Sequence, residues 1–341
     1  MDFANVKGRP VIVAELSGNH EGSLERCMRL MDLAHENGAD AVKIQTYTED
    51  SLTLDSDRPE FRITGGLWKG QTLYELYKKA KTPREWVKPL FRHAADHGIR
   101  LFSTPFSFED LKALEDAGCP CYKVASFELN YVQLISACAR TGKPMVVSTG
   151  LGTQDEIDRA VDAARTGGCT DLTLLVCQSS YPADPAKFSL RTIPFLKERY
   201  GCKAGLSDHA LGDVQDIAAT ALGADMIEKH FTDDRSRHSV DAAFSMEPAD
   251  LRKLAGDTAE AAASLGAYGV RLTDEEKASR GGRRSVYLVR SLKKGDVLTQ
   301  ECVRVVRPAC GMEPYLLDDV LGRKAVVDLD APSPLDPRLF E

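Results

Sequence analysis

Two lysines stand inside short apolar runs, Lys43 in AVKIQ (41–45) and Lys123 in CYKVAS (121–126). Each needs a partner, because an unpaired buried charge is costly. Hydroxyl residues end several comparable runs: Ser103 and Thr104 in RLFST (100–104), Ser126 after Lys123, Ser148 in PMVVST (144–149) and Ser207 in KAGLS (203–207). Lysines converging with such hydroxyls make a site for a phosphate or carboxylate. The alternative is a structural network in which they pair with Glu15 or Glu228. His209 and His230 end two neighbouring runs, so their imidazoles could share Mn²⁺, Fe²⁺ or Zn²⁺, or Mg²⁺ if the other ligands are oxygen. The alternative for them is a polar or acid–base role. Glu15, Gln45, Glu128, Ser179 and Tyr181 stand at similar run ends. His20 could contact a ligand or cap a helix. His35, His93 and His97 fall on helices with solvated faces, and His238 falls in a loop.

These residues share one register. Eight short runs alternate with amphipathic stretches: VIVAEL (11–16), AVKIQ, RLFST, CYKVAS, PMVVST, LTLLVC (172–177), KAGLS and DMIEKH (225–230). The stretches between them, such as SLERCMRLMDLAHENG and TQDEIDRAVDAARTGG, carry a helical period and end in glycine, a stop signal. Alternating strands and helices predict a parallel sheet, and eight strands are the number that closes a (β/α)₈ TIM barrel. An open doubly wound sheet is the alternative, but no GxGxxG follows the first run. In a barrel the strand C-termini form the chemical face, and that is where these polar residues cluster.

Two segments break the pattern. Residues 46–82 exceed an ordinary βα loop; they are aromatic-rich and include a helical piece, TLYELYKKAK. They read as a substrate lid or a subunit contact. Residues 266–282 read as a polar, glycine-punctuated linker. The expected organisation is a barrel over 1–265, the linker, and a small β-rich domain over 283–341.

Composition narrows the classes. Of 341 residues, 44 are Lys or Arg and 51 Asp or Glu, a net charge of −7, and 43% are hydrophobic. Such a chain buries a sizeable core and is not disordered. The mild acidity, with no basic tract, argues against nucleic acid as a partner. No run nears the roughly 18 apolar residues of a membrane span. The first residues show no secretory signal. Nine irregularly spaced cysteines read as reduced, mostly buried thiols of a cytoplasmic protein.

Read together, AELSGNHEGS, GADAVKIQTY, FSTPFS, YKVASFE, VVSTG, SSYPADP, GLSDHALG, ALGADMIEKHFT and RRSVY…RPACGMEP resemble the sialic acid (nonulosonic acid) synthase family over nearly the whole chain. That family condenses phosphoenolpyruvate with an N-acetylated aldose. The segment GGLWKGQTLYELYKKAKTPREW is most similar to its pseudaminic acid synthase branch. That branch uses a 2,4-diacetamido-2,4,6-trideoxy hexose of altrose type, where other branches make N-acetylneuraminate or legionaminate.

The resemblance implies a (β/α)₈ barrel followed by an antifreeze-like (SAF) domain. It implies that Lys43, Thr104, Lys123, Ser126, Ser148 and Ser207 hold phosphoenolpyruvate, and that His209 and His230 hold a divalent metal, Mn²⁺ or Mg²⁺. Glu15, Glu128 and Asp241 would be catalytic. Gln45, Ser179, Tyr181 and Arg307 would contact the sugar, Arg307 from the neighbouring subunit of a domain-swapped homodimer. The chain departs from the family pattern at Ser179, at Arg237–Val240 and at Ala309-Cys310. Two other classes fit the residues: a binding protein without catalysis, and a Schiff-base aldolase with Lys123 as nucleophile.

Overall fold

The computed structural model describes residues 8–341. Eight parallel strands close into a barrel in chain order: β1 (Val11–Glu15), β2 (Ala41–Thr46), β3 (Leu101–Pro105), β4 (Tyr122–Val124), β5 (Met145–Ser148), β6 (Leu172–Cys177), β7 (Lys203–Asp208) and β8 (Met226–His230). Each matches one of the eight apolar runs. The barrel closes where β1 pairs with both β2 and β8, which excludes the open doubly wound sheet.

The intervening helices form where the sequence supplies both an apolar stripe and a start signal. Ser23 accepts from the Arg26 amide to open Leu24–Glu36, and Thr153 with Glu156 forms a capping box at Gln154–Thr166. Their apolar faces pack on the outer wall of the barrel, with Leu30, Met31, Leu90, Leu134, Ile135 and Ala160 buried. Among the described residues no helix is long and apolar enough to cross a membrane.

Side chains alternate between the two faces of a strand. Residues two apart on one strand therefore reach the same side. Lys43 and Gln45, Ser207 and His209, and Glu228 and His230 all face one cavity, whereas Ile44 and Ile227 are in the outer core. Lys229 takes the other face. Its ammonium meets Asp208 at 2.5 Å, Asp216 at 3.2 Å and the Ala210 carbonyl at 3.1 Å, a buried ionic network.

The 46–82 excursion is structured. It contains helices Glu49–Leu52 and Leu73–Ala80, the second opened by a Thr72–Glu75 capping box. An isolated bridge from Thr46 to Thr82 closes its base.

The chain divides into two compact units, one up to Gly266 and one from Ala267 to Glu341. The second unit carries an antiparallel sheet in the order β10 (Val303–Val306), β9 (Ser285–Leu288), β11 (Ser333–Pro334). Its own core includes Val286, Leu288, Leu298, Val303, Val320 and Leu335. Residues 274–279 of the polar stretch form a short exposed helix, because Thr273 and Glu276 supply another capping box. All nine cysteines are free, six of them buried.

Candidate active site

The strand ends on one face of the barrel enclose a cavity of about 330 Å³. Its floor is ionic. Lys43 lies in an ion pair with Glu15 and 3.6 Å from Glu228, and the same Glu228 oxygen lies 3.5 Å from Lys123. Strand register explains the meeting: Glu15 stands opposite both Lys43 and His230, and Ser207 opposite Glu228. Gln45 Nε2 donates to Glu15 Oε1 at 3.0 Å, and Lys43 Nζ donates to Thr104 Oγ1 at 3.4 Å. The pairing of the lysines with Glu15 and Glu228 is thus real. It leaves both ammoniums on the cavity wall, where Ser126, Ser148 and Ser207 also lie.

Burial and charge set the protonation of this floor. Burial pushes Lys123 down despite Glu228. For Lys43, Glu15 and Glu228 together outweigh burial and hold it up. Glu15 is raised, mainly by burial. Glu228, flanked by both lysines, is held below the usual range against its burial. Burial lifts Glu128 to about 7 against the pull of Lys123. Asp241 is also raised by burial, although Ser17 and the Gly18 amide bond to it.

Two imidazoles form the side of the cavity. The His209 and His230 rings are 5.3 Å apart, and His230 Nδ1 is 3.6 Å from Asp241 Oδ2. His230 Nδ1 is buried and has no hydrogen-bond partner among the described residues; Glu128 Oε2 and Ser148 Oγ are in the same condition. Buried polar atoms normally have partners, and these three lack one on residues that line the cavity. The His209 Nδ1 atom lies 3.3 Å from the Gln178 carbonyl and 3.8 Å from Cys177 Sγ. A carbonyl bonded to one ring nitrogen fixes the ring's orientation and leaves the other nitrogen for a cation. The donor set, two imidazoles with a carboxylate beside one of them, fits a divalent ion that keeps positions open.

The upper wall is apolar and comes largely from the 46–82 excursion: Leu52, Ile63, Trp68, Leu73, Leu76 and Tyr77. Trp68 Nε1 donates to the Val240 carbonyl at 3.0 Å, and its ring lies 5.7 Å from Tyr181. Tyr181 in turn lies 4.4 Å from His209. The Arg237–Val240 loop is pinned by side chains. Arg237 Nη2 bonds Glu21 at 2.7 Å and Ser239 Oγ donates to Asn19 Oδ1 at 2.7 Å.

Of the residues singled out in the sequence, Lys43, Gln45, Lys123, Ser126, Glu128, Ser148, Tyr181, Ser207, His209, His230 and Asp241 line this cavity. Glu15 and Thr104 lie behind it, bonded to Gln45 and Lys43. Ser179 lies beside it, 3.5 Å from Cys177 Sγ. Arg307 belongs to the second unit, just after β10 and exposed. His20 contacts no ligand space. Its Nδ1 accepts from the Gly22 amide at 3.1 Å, and burial drops it to about 4, so it is a neutral structural residue. Sequence reasoning placed Ser17 at a strand end but gave it no role, and missed Cys177. Ser17 takes a left-handed φ of 41° as its amide donates to Glu15 Oε1 at 2.8 Å. Burial alone would raise the Cys177 thiol, but His209 brings it down to about 7. The clue to Cys177 was its place as the last residue of LTLLVC, facing the same strand ends.

Residues 30–269 match the NeuB family model and residues 283–341 the SAF domain model. The chain belongs to the NeuB family. As a NeuB-family chain it is 40% identical to the pseudaminic acid synthase of Campylobacter jejuni, over 96% of its own length and 95% of that protein. It is 32% identical to the N,N'-diacetyllegionaminic acid synthase of Legionella pneumophila, over 94% of its length and 91% of that protein. A crystal structure of N-acetylneuraminic acid synthetase from Leptospira borgpetersenii superposes with a TM-score of 0.71 at 30% identity. It covers 80% of this chain and 90% of that one.

Glu228 is the shared counter-ion of two buried lysines, and Glu228→Ala leaves Lys123 without its nearest carboxylate. Breaking a buried pair costs about 3–5 kcal/mol. Urea unfolding of the variant is expected to show a loss of that size, and an unchanged midpoint would contradict the pairing.

Proposed function

We propose that this NeuB-family chain is a pseudaminic acid synthase. It would join phosphoenolpyruvate to an open-chain 2,4-diacetamido-2,4,6-trideoxy hexose of altrose type, with water, releasing phosphate. The observation that carries the reading is the two-sided cavity: a lysine floor with idle donors beneath an apolar wall. Lys43 and Lys123 match the phosphate and carboxylate of phosphoenolpyruvate, with Thr104, Ser126, Ser148 and Ser207 as hydroxyl partners. The wall built by Ile63, Trp68, Leu76 and Tyr77 suits the two acetamido methyls and the C6 methyl of such a sugar. The 40% identity to pseudaminic acid synthases over nearly the whole chain supports the same branch.

In this reading the enol carbon of phosphoenolpyruvate forms a bond to the sugar's aldehyde carbon, the C=O π pair moves onto the aldehyde oxygen, and that oxygen ends as a hydroxyl bearing the proton the attacking water gives up. Water adds to the former enol C2, and the C2–O bond breaks so that phosphate leaves with the bonding electrons. Glu128, buried beside the cavity, takes the proton from the attacking water, while Glu15 and Asp241 stabilise the cationic centre at C2. Gln45, Ser179 and Tyr181 orient the sugar. His209 and His230 would hold Mn²⁺ or Mg²⁺, which when bound supplies Lewis acidity at the aldehyde oxygen. Arg307 would reach a sugar held in a second copy's barrel, making the working unit a domain-swapped homodimer; this part rests on the family resemblance. The nine free thiols suit the reducing cytoplasm.

The deciding experiment follows phosphoenolpyruvate consumption against three sugars: N-acetylmannosamine and the diacetamido trideoxy hexoses of the pseudaminate and legionaminate routes. Turnover is expected with the altrose-type sugar; preference for either other sugar overturns the branch. A Schiff-base aldolase is the second reading, favoured by the lowered Lys123 amine. Borohydride trapping of pyruvate on Lys123 would establish it and contradict the synthase.

Three further outcomes are expected. Glu128 works as a carboxylate, so kcat/KM should rise with pH through about 7 and flatten above it. In Glu128→Gln that ionisation should vanish together with roughly 10²–10⁴ of the rate. Treatment with EDTA should abolish turnover, and Mn²⁺ or Mg²⁺ should restore it; full activity after verified metal removal would release His209 and His230 from their role. Mixing Arg307→Ala with an inactive barrel variant, Lys123→Met, should recover part of the activity, and no recovery would count against a shared site.

A further inference from the structure

On the outer surface of the barrel, two helices place a second set of metal-binding side chains. Asp32 lies in the penultimate turn of Leu24–Glu36. His93 lies in the last turn of Arg84–Asp96, and His97 caps that helix. His93 and His97 are four residues apart, so they share a helix face. Their rings stack with centroids 4.0 Å apart and planes inclined by 26°. His93 Nε2 is 2.7 Å from Asp32 Oδ1. One ligand atom from each of the three residues lies within 4.8 Å of the others. Among the described residues this is the sole group of three or more such side chains that meets that spacing. The reading of His93 as merely solvated is therefore corrected, since it is half-buried and bonded to Asp32, whereas His97 is exposed as expected.

We propose that Asp32, His93 and His97 form a binding site for a zinc-class transition metal ion, separate from the cavity. Three features point this way. Two imidazoles and one carboxylate are a borderline donor set that prefers Zn²⁺, Cu²⁺ or Ni²⁺ to Mg²⁺. His97 Nδ1 is 2.9 Å from the His93 carbonyl. With Nδ1 as the donor in that bond, Nε2 is the ring atom turned to a cation, the arrangement in which ligating histidines are usually held. Third, bond lengths of about 2.0–2.1 Å place tetrahedral ligands roughly 3.3 Å apart. His97 is exposed and Asp32 half-buried, so these are the two side chains free to turn toward that spacing.

The place in the fold defines what such an ion would do. Barrel helices run back along the strands, so their C-terminal turns lie at the rim opposite the chemical face. An ion there would tie the first barrel helix to the helix preceding β3. It would raise stability by mass action, since the three ligands come together in the folded chain alone. It takes no part in the proposed reaction.

The test titrates Zn²⁺ into the full-length, chelator-stripped protein and compares it with His97→Ala and Asp32→Asn. Wild type is expected to bind one more zinc ion per chain than either variant. Its thermal midpoint should rise by several degrees with Zn²⁺, an effect lost in both variants. Co²⁺ substituted for Zn²⁺ should give tetrahedral d–d bands in wild type that His97→Ala removes. All three proteins should keep the same turnover at saturating Mg²⁺. Equal zinc stoichiometry and equal thermal response in wild type and both variants would overturn the site. Because binding and spectra are read without any sugar, the outcome is independent of the proposed synthase activity.

Discussion

Two buried ammoniums share one carboxylate on the floor of the cavity, and the site is arranged around that sharing. Lys43 and Lys123 come from strands β2 and β4, Glu228 from β8, and Glu15 from β1. Four strands that are not all neighbours must therefore close into a ring for the charges to meet. An open sheet would leave at least one lysine buried without a partner, at a cost of several kcal/mol. Barrel closure and charge compensation are in this sense one constraint. The same compensation keeps the floor nearly balanced before any anion arrives. An incoming phosphate or carboxylate exchanges one partner for another and does not fill a bare cationic hole.

The strand alternation gives this floor its economy. Pairs two residues apart, 43 with 45, 207 with 209 and 228 with 230, supply a charged or hydroxyl group at one depth and an amide or imidazole at the next. Depth therefore sorts chemistry. Anion partners lie lower, the histidine pair sits nearer the mouth, and the apolar wall stands above both. A substrate pair with an ionic half and a methyl-bearing half is matched in layers.

Much of this was legible in the sequence, for a specific reason. A lysine or a Glu-x-His inside an apolar run is conspicuous, and the eight runs correspond to the eight strands. What stayed illegible depends on contacts across long sequence separations. Glu228 appeared as one of two possible partners, while the structure makes it common to both lysines. Cys177 looked like one of nine unremarkable thiols until the fold set it against His209. The Asp32–His93–His97 group joins two helices whose packing no local pattern announces. The 46–82 excursion was visible as an excess of length and aromatics, yet its seat on the cavity emerges from one hydrogen bond, Trp68 to the Val240 carbonyl.

That division of labour bears on how such enzymes diversify. The groups suited to the shared reactant are spread over strands that are also the core, so changing any of them risks the fold. The groups suited to the variable reactant are mostly contiguous, in an excursion closed at its base by the Thr46–Thr82 bridge. Exchanging that one cassette of sequence would therefore reshape the apolar wall of the cavity while leaving the ionic floor intact.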